Sequence, residues 1–185
     1  MSVKMFTIDF YKKNSYNSTY IYLYKPMKSL FKPVVRAIII NDTDEILMVK
    51  HTKDSLWVLP GWHVESDESI HDAILRELKE ELWLEAFFTP IDDHEILHHK
   101  KIELEHLPLP LTSYKLSYTS SSWKDKSRTE YIFLMMSSQK DCIKQEWEIV
   151  DYKWFEPEEI LLMKWNIETY DFYIEMIEKL LYGEE

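Results

Sequence analysis

The chain has 185 residues, 45% of them hydrophobic and 15% aromatic, enough to build the core of a single domain. Its formal charge of -11 argues against a nonspecific nucleic-acid binder, which needs a basic surface, but leaves room for a phosphate ligand where metal ions screen the carboxylates. No apolar run approaches the ~18 residues of a membrane span, residues 1–12 lack a signal peptide's apolar region, and the lone cysteine, Cys142, permits no intrachain disulfide, so a cytoplasmic setting is expected.

In chain order, "KMFTIDFYKK" and "STYIYLYKP" read as strands separated by the turn-like "NSYN", an extension over residues 1–33. "VVRAIIIN" (34–41) and "EILMVKHT" (45–52) read as strands joined by "DTD", a hairpin pattern. "WVLPGW" is a short strand running into a loop. A helix is expected over Ser69–Leu82, with Asp67, Glu68 and Ser69 at its start. Strands follow near 94–104, 111–119, 129–136 and 151–155. "IETYDFYIEMIEKLLY" (167–182) has helical periodicity and closes the domain. Strands, helix, strands, helix is the order of a mixed sheet packed between helices. The domain reading is one unit: extension, core over 34–160 and a C-terminal helix over 161–185.

The helix carries the chemical question. Leu75, Leu78 and Leu82 form the stripe expected to face a sheet. Glu77, Glu80 and Glu81, spaced i, i+3 and i+4, gather about one turn of the same helix. Like charges at that spacing repel, and acids near a helix C-terminus oppose its dipole. Two readings follow from these residues: a solvated acidic face relieved by Arg76 and Lys79, or a seat for a hard divalent cation, which takes carboxylate oxygens and substrate phosphates.

The wider spacing separates the two. Seven residues follow Glu68, then Arg76-Glu77-Leu78-Lys79-Glu80-Glu81-Leu82. This resembles the Nudix box, GX5EX7REUXEEXGU with U aliphatic, at Glu68, Arg76, Glu77, Leu78, Glu80, Glu81 and Leu84. "WVLPG" before the box and "VDYKWFEPEEI" after it are also similar to that family, and the resemblance covers roughly residues 34–160. It implies a Nudix-type α/β/α sandwich with a mixed sheet. It also implies hydrolysis of a pyrophosphate bond in a nucleoside diphosphate linked to another moiety. Mg²⁺ or Mn²⁺ would be the cofactor, held by Glu77, Glu80, Glu81 and the Gly61 carbonyl. Arg76 would orient a glutamate, and Glu68 would support the loop and helix or assist a metal through water. The catalytic base varies in position within this family. Glu77 is one candidate, Glu148 in the loop before "DYKWF" another, with Glu146 close by. Glu130 in "RTEYIF" is a third, though a strand-end carboxylate is commonly just exposed. The implied partner is a small nucleotide-type substrate, with no membrane and no stable nucleic acid; a homodimer is compatible with the family. The alternative function is a nucleotide-binding or sensing module that does no chemistry. An isomerase of the same superfamily is disfavoured because Cys142 lacks a catalytic setting.

Two positions depart from the box, which has glycine where this chain has Trp62 and Trp83. The chain has 2 glycines and 7 tryptophans, against roughly 13 glycines at ordinary usage. Trp57 and Trp154 sit in apolar strand contexts. Trp62, Trp83 and Trp123, and less clearly Trp147 and Trp165, stand where glycine would be natural. Either these are genuine divergences, or the source reads UGA as glycine and the codon is rendered here as tryptophan. Arg36, Lys50 and His51 precede the box and are further candidates to reach a phosphate or base. His94, His98 and His99 cluster in sequence, but adjacent strand residues face opposite ways, which argues against a shared metal.

Overall fold

The computed structural model describes residues 6–9, 23–26, 33–52, 55–89, 97–99, 102–104, 107–119 and 125–183. Two compact units divide the chain, residues 1–31 and 32–185. In the first, β1 (Phe6–Asp9) and β2 (Leu23–Pro26) pair antiparallel, with Phe6 opposite Pro26.

The second unit is built on a six-stranded sheet. Its order is β10 (Ile149–Phe155), β4 (Ile46–His51), β3 (Val34–Ile40), β9 (Asp125–Met136) and β5 (Phe87–Phe88), with β8 (Thr112–Thr119) also paired to β9. β3 and β9 run parallel and the other pairs antiparallel, so the sheet is mixed. A hairpin of β6 (Leu97–His99) and β7 (Ile102–Leu104) stands apart from it.

Every residue from Val34 to Ile39 is buried, as a strand covered on both faces must be. The covering helices differ. Ala37 lies opposite Phe133, and the Phe133 ring meets His71 of α1 (Ile70–Leu82) at 5.1 Å. Tyr114 lies opposite Glu130, which lies opposite Val34, two residues from Arg36 and therefore on its face. The Tyr114 ring meets Phe172 of α3 (Asp171–Tyr182) at 5.4 Å. The architecture is the expected α/β/α sandwich.

One opening in this sheet positions the site. β3 and β4 pair only at Ile40 and Ile46. Beyond that point residues 57–64 fill the space between them. Val58 bridges Val49, Ala37 donates its N–H to Pro60 (3.0 Å), and Val35 donates to Trp62 (2.9 Å). The loop is therefore an internal part of the sheet layer.

α1 begins at its Ser69 cap, whose hydroxyl accepts the Asp72 N–H (3.1 Å). Its buried face is Ala73, Ile74, Leu78 and Leu82, joined by Glu77 and Glu81. The expected stripe was wrong at Leu75, which is 41% exposed. The helix is turned so that the two glutamates, not Leu75, face inward. The C-terminal region also differs from expectation, with two helices instead of one. The additional helix, α2 (Pro157–Asn166), has proline at its first turn and a reciprocal capping box between Glu156 and Glu159. It straddles the boundary expected at residue 160 and ends where Ile167 turns left-handed (φ 56°).

Candidate metal and phosphate centre

Arg76 is the hub of the α1 surface. Its guanidinium grips Glu68 through two bonds, Nε to Oε2 (3.0 Å) and Nη2 to Oε1 (2.8 Å). Nη1 reaches Glu77 (2.8 Å) and Glu80 (2.7 Å), and Nη2 also donates to the His63 carbonyl (3.1 Å). One cation thus fixes three box carboxylates and ties the loop before the helix to the helix itself. These pairs hold the Arg76 pKa well above its ordinary value, the Glu68 contact contributing most.

Glu77, Glu80 and Glu81 share a turn but not an environment. The Glu80 side chain is 57% exposed, whereas Glu77 and Glu81 are buried. Burial pushes the Glu77 carboxyl up to about 7, against the pull of Arg76. It pushes Glu81 up to about 8, opposed by the Arg36 charge and by the Gly61 N–H. The negative charge of Glu148 raises both further.

Gly61 sits on the other side of Glu81. Its N–H donates to Glu81 Oε2 (3.0 Å), and its carbonyl accepts from Arg36 Nη1. The residue has φ +113°, and a Cβ there would stand 2.4 Å from the Val35 carbonyl oxygen. Glycine is required at 61 for both reasons. At 62 it is not, because Trp62 is not among the left-handed residues; its ring stacks over Arg36 at 5.1 Å and faces His51 at 5.2 Å. Trp83 is different. It caps α1 in the left-handed conformation (φ 49°) with its side chain 54% exposed, a setting that suits glycine.

The loop carrying Glu148 is fastened to the end of α1. Gln145 donates its N–H to the Glu81 carbonyl and Ile143 to the Leu82 carbonyl, both at 2.9 Å. These bonds satisfy carbonyls that a helix end leaves open. Glu148 is half-buried in a groove of about 470 Å³, facing Arg76 and Glu80, with Trp83 and Trp147 along its walls. Glu146 is exposed and does not line that groove.

Several sequence candidates fall elsewhere. Glu130 is not an exposed strand-end carboxylate. It is fully buried, accepts the Tyr114 hydroxyl (2.6 Å) and pairs with Arg128. Arg36 is buried beneath the loop and serves it internally. Lys50 lies over the Trp57 ring at 4.5 Å. His51 is buried with Nε2 3.7 Å from Glu81 Oε1. The Arg36 arrangement was signalled by a lone charge inside the apolar run "VVRAIII". Cys142 is buried, and burial pushes its thiol up to about 11, so it stays protonated. Trp123, His94 and the side chains of His98 and His99 lie outside the described residues.

Do these residues fit a divalent cation? Among the described residues, no three acidic, histidine or cysteine side chains are gathered into a ready-made site. Glu77 and Glu80 face Arg76 instead. Yet Glu81 Oε1 is buried with no hydrogen-bond partner among the described residues, beside two further carboxylates that raise its proton affinity. Buried, mutually repelling hard oxygens with an unused lone pair suit Mg²⁺ or Mn²⁺. The fit is through Glu81 first, with Glu77 and Glu148 near it.

Fold and site together define an α/β/α domain with an acidic helix clamped against an internal glycine loop. The chain belongs to the NUDIX domain family, whose model matches residues 30–176. An RNA pyrophosphohydrolase from Pseudomonas putida is 37% identical over 67 residues, 36% of this chain; the match spans only 39% of that relative's length. A nucleoside triphosphatase, NudI, from Salmonella typhimurium is 28% identical over 114 residues, 61% of this chain and 70% of the relative. A NUDIX-family hydrolase from Clostridium perfringens superposes with a TM-score of 0.59 at 18% identity, covering 84% of this chain and 99% of the other. The E. coli dihydroneopterin triphosphate pyrophosphohydrolase gives 0.57 at 16%, covering 84% and 100%. At such identities the structures speak for the fold.

Proposed function

We propose that this protein hydrolyses a pyrophosphate bond in a nucleoside diphosphate linked to another moiety, with Mg²⁺ or Mn²⁺ as cofactor. The observation that carries the reading is the pair of buried box carboxylates, Glu77 and Glu81, held beside Glu148. Folding concentrates negative charge where it is least tolerated, and a bound cation resolves that conflict.

Glu81, Glu77, Glu80 and the Gly61 carbonyl would hold the metal, which when bound neutralises the diphosphate and polarises its phosphorus. Arg76 pairs with buried Glu77 and with Glu80, which lines the groove, and Glu68 holds Arg76. Glu148 lines that groove, which supports it as the group that would take the proton of the attacking water. The water oxygen bonds to phosphorus, the bridging P–O bond breaks, and the departing phosphate leaves with the bond's electron pair. The products are a nucleoside monophosphate and the phosphorylated second moiety.

The test is incubation with ADP-ribose, nucleotide sugars, dinucleoside polyphosphates and nucleoside triphosphates, with Mg²⁺ or Mn²⁺ and with chelator. Metal-dependent monophosphate release from one class is expected. Tight nucleotide binding without turnover of any would identify a sensing module instead.

A further inference from the structure

Residues 57–64, which fill the space between β3 and β4, are held from both faces of the sheet by opposite charges. From the α1 face, Glu81 accepts the Gly61 N–H at 3.0 Å. From the α3 face, Arg36 Nη1 donates to the carbonyls of Gly61 and, at 2.8 Å, Leu59. Arg36 is 2% exposed, so this is a buried guanidinium spent on two backbone oxygens. Burying a cation is expensive unless it is fully used. Burial opposes its charge, and the nearby carboxylates of Glu81 and Glu130 favour it. Trp62 stacks across its face.

We infer that Arg36 is a positioning residue for the metal centre: by fixing the Gly61 peptide it aims both the Gly61 carbonyl and the Glu81 carboxylate. The inference rests on the metal reading of Glu81 above. Gly61 itself cannot be replaced to relocate this peptide, since any Cβ strikes the Val35 carbonyl. Two peptide units meet at Gly61: the one carrying its N–H is held by Glu81 and by the Ala37 bond to Pro60, and the one carrying its carbonyl is held at that oxygen by Arg36. Both bonds come from the single Nη1 group, so a lysine in place of Arg36 keeps the charge and a donor for these carbonyls but loses the guanidinium plane that Trp62 covers.

The experiment is Mn²⁺ binding by calorimetry to full-length wild type, Arg36→Met, Arg36→Lys and Glu81→Gln, with circular dichroism to establish folding. Supporting partners of metal ligands typically alter affinity by 10–100-fold, so Arg36→Met should weaken Mn²⁺ by roughly that factor, with kcat lowered and KM little changed. Arg36→Lys should recover part of the loss. A folded Arg36→Met with Mn²⁺ affinity within about twofold of wild type overturns the inference, provided Glu81→Gln loses affinity. If Arg36→Met fails to fold, wild-type affinity in Arg36→Lys overturns it equally. Unchanged affinity in Glu81→Gln overturns the metal reading itself, and this inference with it.

Discussion

Replacing Glu81 with glutamine should stabilise the metal-free protein at alkaline pH while removing its response to metal. The carboxylate has no solvent exposure, and its pKa is raised from 4.5 to about 8. A raised folded-state pKa means the stabilising contribution is complete below the unfolded value, near 4.5, and is lost as pH climbs through about 8. At 1.36 kcal/mol per unit, the whole shift corresponds to a ceiling of roughly 5 kcal/mol. Repulsion from Glu77 at i, i+4 accounts for only a few tenths of this, so burial dominates. Local relaxation brings the expected gain of Glu81→Gln at pH 9 to a few kcal/mol, or roughly 2–4 °C in Tm for each kcal/mol in a chain this size. The glutamine oxygen still accepts the Gly61 N–H, so the loop should stay in place. Thermal melts in chelator from pH 5 to pH 9 measure the effect. Wild type should fall more steeply than the variant, which keeps a residual slope from Glu77. Adding Mn²⁺ at pH 9 should restore wild type only, because the ion binds the folded carboxylate. Parallel pH curves for the two proteins would refute the argument from burial.

Arg76→Lys should lower turnover by on the order of 10²-fold, since an ammonium cannot hold Glu68, Glu77 and Glu80 together; kcat on the best substrate reads this. Glu148→Gln should lower kcat by roughly 10²–10⁴-fold yet leave Mn²⁺ affinity close to wild type, the mark of a base. Gly61→Ala should destabilise severely or prevent folding, seen as a lost or shifted urea midpoint, because of the positive φ and the Val35 contact. Trp83→Gly should raise stability by about 1 kcal/mol, measured as a Tm increase, because it relieves a left-handed side-chain-bearing residue. The gene supplies the companion test: UGG codons at positions 62 and 83 would dismiss the codon-reassignment reading.

Much of the architecture was legible because its signals are local. Near-continuous apolar runs joined by "DTD" marked β3 and β4, and Ser69 marked the start of α1. The charged spacing from Glu68 to Glu81 located the helix face on which carboxylates gather. What escaped the sequence depended on rotation and on distant partners. Leu75 and Glu81 differ only in which side of one helix meets the sheet, and period alone does not fix that angle within a residue or so. Glu130 looked like a strand-end acid because Tyr114 and Arg128, which pair with it, come from the adjoining strand and from two residues away. The positive φ of this loop falls on Gly61, one residue before the position where the box has glycine, and spacing alone does not show which of the two carries it. α2 was overlooked although Glu156, Pro157 and Glu159 announce it, because its mixed apolar pattern gives no clear stripe.

The most direct measurement is the rate of nucleoside monophosphate release from the best substrate of the panel as a function of Mn²⁺ concentration, for wild type and Glu81→Gln. Wild type should show a saturable metal dependence with no release in chelator, and Glu81→Gln should show almost none at any concentration while remaining folded. Equal rates in the two proteins, or turnover that persists in chelator, would contradict a metal-dependent hydrolysis carried by the α1 carboxylates.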